Sequence, residues 1–226
     1  MREPESSPEP LPDRRAAGER LAIRLLEYRD QEPVVLALPR GGVPVGYEIA
    51  RRLGAPLDVL IVRKVGAPSN PEYGLGAVVE GGTRYLDEPR VRAAGLTMRD
   101  LQPTIARELA EVARRAREFR GDRKPVEVQG RSVILVDDGV ATGGTVLAVL
   151  RALRSRQPRR IVLALGVAPE DTVVRLRKEV DDLVVLLVPR VFFAVGEWYH
   201  RFSQVSDAEV RTLLERAWAT SVASSP

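Results

Sequence analysis

The chain has no cysteine, a single histidine, and only 5% aromatic residues in 226 positions. The lack of cysteine excludes a disulfide framework and any cysteine-ligated metal. No apolar run approaches the roughly 20 residues that a membrane-crossing helix requires. The opening MREPESSPEPLPDRR lacks the apolar core of a signal peptide, so the expected location is the cytoplasm. Charge of one sign is also scarce. The net charge is +4 from 35 basic and 31 acidic residues, a small excess spread over a heavily charged surface. That excess localises no patch, and nucleic acid is not an expected partner. The charged stretch RELAEVARRAREFRGDRK reads as the solvated face of a helix, with opposite charges four apart such as Glu111 and Arg115.

What is present is 44% hydrophobic residues in a length suited to one α/β domain. Residues 1–12 are Pro, Glu and Ser with little to bury, which predicts a disordered tail, and ATSVASSP at 219–226 predicts a frayed end. The domain is then expected over 13–218. Within it, short continuous apolar runs alternate with helical patterns. PVVLALP, PLDVLIVRK, SVILVDD, RRIVLALGVA and VDDLVVLLVP read as five buried strands. GAVVEGGTRYL reads as a hairpin turning at Gly81-Gly82. Helices are predicted over RRAAGERLAIRLLEY, VPVGYEIARRL, from Gly144 to Ser155, and over SDAEVRTLLERAW with Ser206 or Asp207 as N-cap. A long helical segment from Thr97 is predicted to be irregular around Pro103. Buried strands separated by helices predict an α/β fold: a five-stranded parallel sheet with helices on both faces. Such sheets bind ligands at the carboxyl ends of their strands.

One strand end stands out. VILVDDGVATGGT runs from Val133 into two acids, Asp137 and Asp138, and then a Thr/Gly loop that opens a helix near Gly144. Free backbone N–H groups at a helix start favour an anion, and glycines let the backbone approach it. Thr142 and Thr145 add hydroxyl donors, so the loop suits a phosphate monoester. The two acids repel phosphate but accept hydrogen bonds, so they suit vicinal hydroxyls or a divalent metal. A phosphate beside a diol describes a ribose 5-phosphate. Other phosphate motifs do not fit: no Lys follows the glycines as a Walker loop requires, and the acids precede the glycines instead of following by about 20 residues.

These thirteen positions resemble the 5-phosphoribosyl 1-pyrophosphate (PRPP) motif of the type I phosphoribosyltransferases. The resemblance implies that Asp137 and Asp138 hold the ribose hydroxyls, directly or through Mg2+, and that Gly139, Val140, Ala141, Thr142, Gly143, Gly144 and Thr145 form the 5-phosphate loop. LPRGGVPVG after the first strand is similar to the family's pyrophosphate loop, which implies that Arg40, Gly41 and Gly42 contact pyrophosphate. IVRKVGAPSNPEYG resembles the flexible catalytic loop, here expected to be mobile, with Arg63 and Lys64 toward pyrophosphate and Lys64, Glu72 and Asp137 in catalytic roles. Aromatic residues gather in PRVFFAVGEWYHRFSQVSD, the place of the family's base-selecting hood (about 189–207, with the N-terminal helix). Phe193, Trp198 and Tyr199 are the candidates for stacking on a base, and His200 reads as a surface residue. The family resemblance further implies Mg2+ as cofactor, PRPP and a nitrogenous base as substrates, nucleotide salvage, and a homodimer. The rival expectation is a PRPP- or nucleotide-sensing protein on the same fold, without turnover.

Overall fold

The computed structural model describes residues 9–223. The chain runs through α1 (Arg14–Arg24), β1 (Val34–Ala37), α2 (Gly42–Leu53) and β2 (Leu57–Val59). An antiparallel trio follows: β3 (Val62–Ala67), β4 (Asn70–Val79) and β5 (Arg84–Leu86). Then come α3 (Glu88–Ala93), α4 (Met98–Arg120), β6 (Ser132–Gly139), α5 (Gly144–Ser155), β7 (Arg160–Val167), α6 (Glu170–Leu176), β8 (Asp182–Leu187) and α7 (Asp207–Ala223).

The main sheet is parallel and five-stranded, in the order β2-β1-β6-β7-β8, as the apolar runs predict. Successive side chains of a strand point to opposite faces, so a strand covered on both faces must be apolar throughout. Val35, Ala37, Ile134, Val136, Val162 and Ala164 pack on one face with Leu21 of α1 and Leu25 just after it, Ile49 and Leu53 of α2, and Leu214 of α7. Val34, Leu36, Val133, Leu135, Ile161 and Leu163 pack on the other with Val149 and Leu153 of α5 and Leu176 of α6.

Four expectations need correction. PLDVLIVRK is two strands: after Val59 the chain leaves the parallel sheet, and Val62 onward pairs antiparallel with β4. The stretch expected as a loop is paired as strands, forming the β3–β4 hairpin, with Gly66 at its register shifts. α4 runs unbroken through Pro103, its start held by a capping box between Thr97 and Asp100. Finally, part of the expected N-terminal tail is docked. Leu11 is fully buried, its N–H donates to the Trp198 carbonyl (2.8 Å), and its own carbonyl accepts from His200 N–H (2.8 Å). Residues 1–8 and 224–226 of the two expected tails lie outside the described residues, while Ala219–Ala223 continue α7. Helices α3 and α6 were not predicted, being too short to display a period.

Candidate active site

Parallel register brings the two strongest motifs to one edge. Ala37 pairs with Val136, and Leu38 N–H donates to the Val136 carbonyl at 2.9 Å. The residues after β1 therefore lie beside the acids that end β6. The approach is close: a Cβ on Gly41 would stand 2.0 Å from Asp138 Oδ2, and one on Gly42 2.6 Å from the Val136 carbonyl oxygen. The Pro39–Arg40 peptide is cis. The Arg40 guanidinium points toward Asp207 at the start of α7, 3.8 Å away.

Asp138 is buried and paired with Arg14, whose Nε donates to Oδ2 at 2.7 Å. Arg14 also donates from Nη1 to the Ser203 carbonyl (2.7 Å) and lies 3.8 Å over the Phe202 ring. Asp13 caps α1 by accepting from Ala16 N–H, which fixes where Arg14 leaves the helix. Asp137 is half-buried, and its Oδ1 accepts from the Asp138 N–H at 2.9 Å. Burial, and then the negative charge of Asp138, push the Asp137 carboxyl well above the usual carboxylate range. The pair is thus unequal: one carboxylate is neutralised by a guanidinium, while the other resists ionisation.

Beyond the acids, Gly143 adopts a left-handed backbone (φ 72°) and starts α5 with no side chain to cap it. Its first-turn N–H groups lie next to the exposed Thr142, Gly144 and Thr145. A cleft of about 310 Å³ opens there, lined by Thr142, Gly144, Thr145 and Arg175 on one side and by Lys64, Glu72 and Arg90 on the other. The hairpin and the Thr/Gly loop thus share one cavity. Lys64 Nζ donates across the hairpin to Glu72, to the carbonyl at 3.1 Å and to Oε2 at 3.3 Å. Arg63 is engaged elsewhere, on Glu108 of α4 at 3.0 Å.

The aromatic candidates divide. Phe193 is 79% exposed and Trp198 is half-buried, its indole N–H buried without a hydrogen-bond partner among the described residues. The expectation that Tyr199 presents a ring to a base is corrected. Tyr199 is buried, stacked on Phe202 (5.1 Å between centroids), and its hydroxyl donates to the Asp138 carbonyl at 2.5 Å. Burial, then the Asp138 charge, push that hydroxyl far upward, so it stays a donor at any physiological pH. Tyr199 therefore holds the acid corner from behind. The segment Val195–Trp198 adds to this backing, with Val195 close against Gly139. Sequence reasoning missed Arg14, Thr172 and Arg175. An Asp-Arg pair at a helix start signals a cap, but no spacing signals a partner 124 residues away.

Two adjacent carboxylates are the only acidic pair in the corner, and the described residues hold no cluster of three or more metal-ligating side chains. No helix is long and apolar enough to cross a membrane among these residues.

Residues 9–199 match the model of the phosphoribosyl transferase domain. Over 205 residues the chain is 44% identical to a Mycobacterium tuberculosis protein described as a "putative phosphoribosyl transferase", covering 91% of this chain and 46% of that one. The chain thus spans about half the length of the curated relative. A stretch of 62 residues is 37% identical to a ribose-phosphate pyrophosphokinase of Pyrococcus furiosus, 26% of this chain and 22% of that enzyme. Among solved structures, a Thermus thermophilus crystal structure superposes with a TM-score of 0.81 at 44% identity, over 92% of this chain and 98% of its own. With the acid pair, the Thr/Gly loop and the Arg-Gly-Gly loop meeting on the carboxyl edge of such a sheet, the chain belongs to the phosphoribosyl transferase family.

Proposed function

We propose that the protein transfers the 5-phosphoribosyl group of PRPP to a nitrogenous base and releases pyrophosphate, in nucleotide salvage. The observation that carries this reading is the convergence at the sheet edge: the Arg40–Gly42 loop lies on Asp138, and the Thr142–Thr145 loop opens into the cleft that Lys64 and Glu72 close. The Thr142–Thr145 amides and hydroxyls bind the 5-phosphate. Asp137 and Asp138 accept hydrogen bonds from the vicinal ribose hydroxyls. Gly41 and Gly42 offer backbone N–H groups to pyrophosphate. Arg40, whose guanidinium stands 3.8 Å from Asp207, would turn from that carboxylate to reach the same group. Arg63 stays on Glu108 and fastens the hairpin to α4.

Magnesium fits the donor set. The ion usually keeps several waters and takes one or two carboxylates together with substrate phosphates; Asp138 has an oxygen besides the one Arg14 holds, and a cation beside Asp137 would favour its ionised form. Bound there with PRPP, it would screen the charge that grows on the departing pyrophosphate.

During transfer, positive charge develops on the ribose and negative charge on pyrophosphate. Lys64 is placed to meet the latter. Its present partner Glu72 is exposed, and such pairs are worth only about 0–1 kcal/mol, so an arriving polyanion displaces it readily. Glu72, freed from Lys64, can accept a proton from the incoming nitrogen. Lys64→Ala is expected to lower turnover about a hundredfold; an unchanged rate removes Lys64 from the mechanism.

Calorimetric titration of PRPP with Mg2+, on wild type and on Asp137→Asn/Asp138→Asn, tests the whole reading. Saturable binding that the double variant loses supports it and directs a screen of purine, pyrimidine and pyridine acceptors for pyrophosphate release. A folded wild type that binds no PRPP overturns it.

A further inference from the structure

The Thr/Gly loop is held by contacts from outside its own segment. Helix α6, which belongs to no motif of the site, grips it at two successive carbonyls. Thr172 is fully buried, and its Oγ1 donates to the Ala141 carbonyl at 2.7 Å. Arg175, one turn further along α6, donates from Nη2 to the Thr142 carbonyl at 2.9 Å and to Thr172 Oγ1 at 3.0 Å. The direction of this chain is fixed by chemistry. A guanidinium only donates, so Thr172 accepts from Arg175 and spends its single proton on Ala141.

In a planar trans peptide the C=O of one residue and the N–H of the next point in opposite directions. Holding the Ala141 carbonyl toward α6 turns the Thr142 N–H away from α6. Holding the Thr142 carbonyl does the same for the Gly143 N–H. Were either peptide to rotate, a carbonyl oxygen would replace an N–H on the ligand side and repel an anion. The same helix also touches the next residue: a Cβ on Gly143 would stand 3.2 Å from Thr172 Cγ2, so the methyl closes the space behind the left-handed turn. Arg175 contacts the loop and Thr172 through Nη2, while its side chain lines the shared cleft.

We infer that Thr172 and Arg175 are positioning residues that set the amide polarity of the phosphate loop and thereby its affinity for a sugar phosphate. This rests on the ribose 5-phosphate reading of the loop. The hydrogen bond from Thr172 leaves a carbonyl unsatisfied when removed, and such a loss corresponds to about tenfold in binding.

The test is calorimetric titration of ribose 5-phosphate, with PRPP and Mg2+ as the control ligand, on wild type, Thr172→Val, Thr172→Ser and Arg175→Ala, each with its melting temperature. Thr172→Val keeps the shape and loses the hydroxyl. It is expected to weaken ribose 5-phosphate about tenfold, and Arg175→Ala by a similar factor. Thr172→Ser restores the hydroxyl and is expected to return affinity to the wild-type value, even where its lost methyl lowers the melting temperature. Wild-type affinity in Thr172→Val overturns the inference while PRPP binding leaves the function intact. Affinity lost in both Val and Ser variants, in step with melting temperature, reduces Thr172 to packing and also overturns it. A folded wild type that binds neither ligand overturns the function reading, and this inference with it.

Discussion

Gly41→Ala is expected to weaken PRPP binding about a hundredfold, from the loss of two hydrogen bonds to a charged group at about 1.5 kcal/mol each. Backbone conformation is not the reason, since Gly41 has φ −62° and ψ −32°, which alanine adopts freely. The reason is the carboxylate 2.0 Å from the new methyl. Asp138 is a short side chain with its oxygen already fixed on Arg14 Nε at 2.7 Å, so it can yield only by leaving that guanidinium. The acid then leaves the place proposed for the ribose hydroxyls, and the half-buried Arg14 loses its carboxylate partner. Titration of PRPP into the variant, with circular dichroism to show that it is folded, is the measurement. Unchanged affinity would mean that Asp138 does not need the place it holds. The equivalent change at Gly42 meets the Val136 backbone carbonyl at 2.6 Å and is a lesion of the sheet, so it does not serve as the same test.

Arg120→Met carries the largest expected effect on stability. Near the end of α4, Arg120 donates from Nε to Asp58 (2.9 Å), from Nη1 to Glu80 (2.5 Å) and from Nη2 to the Val59 carbonyl (2.9 Å). Its side chain is 5% exposed and that of Asp58 is 3% exposed. One guanidinium thus joins the parallel sheet, the hairpin and the long helix. Methionine replaces much of the apolar stem but leaves two carboxylates facing each other with no cation. Removing one partner of a buried ion pair costs about 3–5 kcal/mol. For a domain of this size that corresponds to about 10 °C in Tm. Removing all three charges together, as Asp58→Leu/Glu80→Leu/Arg120→Met, is expected to recover part of the loss, because no buried charge is then left alone. If Arg120→Met melts with the wild type, the cluster is not a structural tie.

What the sequence made legible follows from which interactions are local. The five strands announce themselves because burial on both faces demands continuous apolar runs, and Val34 to Ala37 or Val133 to Val136 are short, rich in β-branched residues and bounded by turn signals. The start of α5 at Gly144 and the N-cap at Ser206, which accepts from Glu209 N–H at 3.1 Å, are also local and also legible. The acid pair and its loop are contiguous, so their order along the chain was enough to propose a site there. The rest depends on tertiary contact. Nothing local distinguishes Arg14 from the neighbouring Arg15, which is solvated and pairs with Glu19. Tyr199 lies among ring residues that suggest a stacking surface, and only its hydrogen bond to Asp138, 61 positions away, shows a supporting role. Thr172 and Arg175 lie on a helix of seven residues, too short for periodicity to reveal. The β3–β4 hairpin was hidden by its composition, since Gly66 and Pro71 occur where loops and irregular strands alike place them.

The arrangement around Asp138 also bears on the order in which a chain is made. Arg14 and Gly41 leave the ribosome early and Asp138 long after them, while Tyr199 and Ser203 follow still later. Contacts between such distant segments are slow to close and form after local ones. A nascent chain that has completed all five strands of the sheet therefore still lacks the hydroxyl behind Asp138 and the carbonyl that anchors Arg14. Its acids stand at an unfinished edge. Any ligand that recognises this corner binds only the completed fold, and by mass action its presence favours the finished molecule over every partial one.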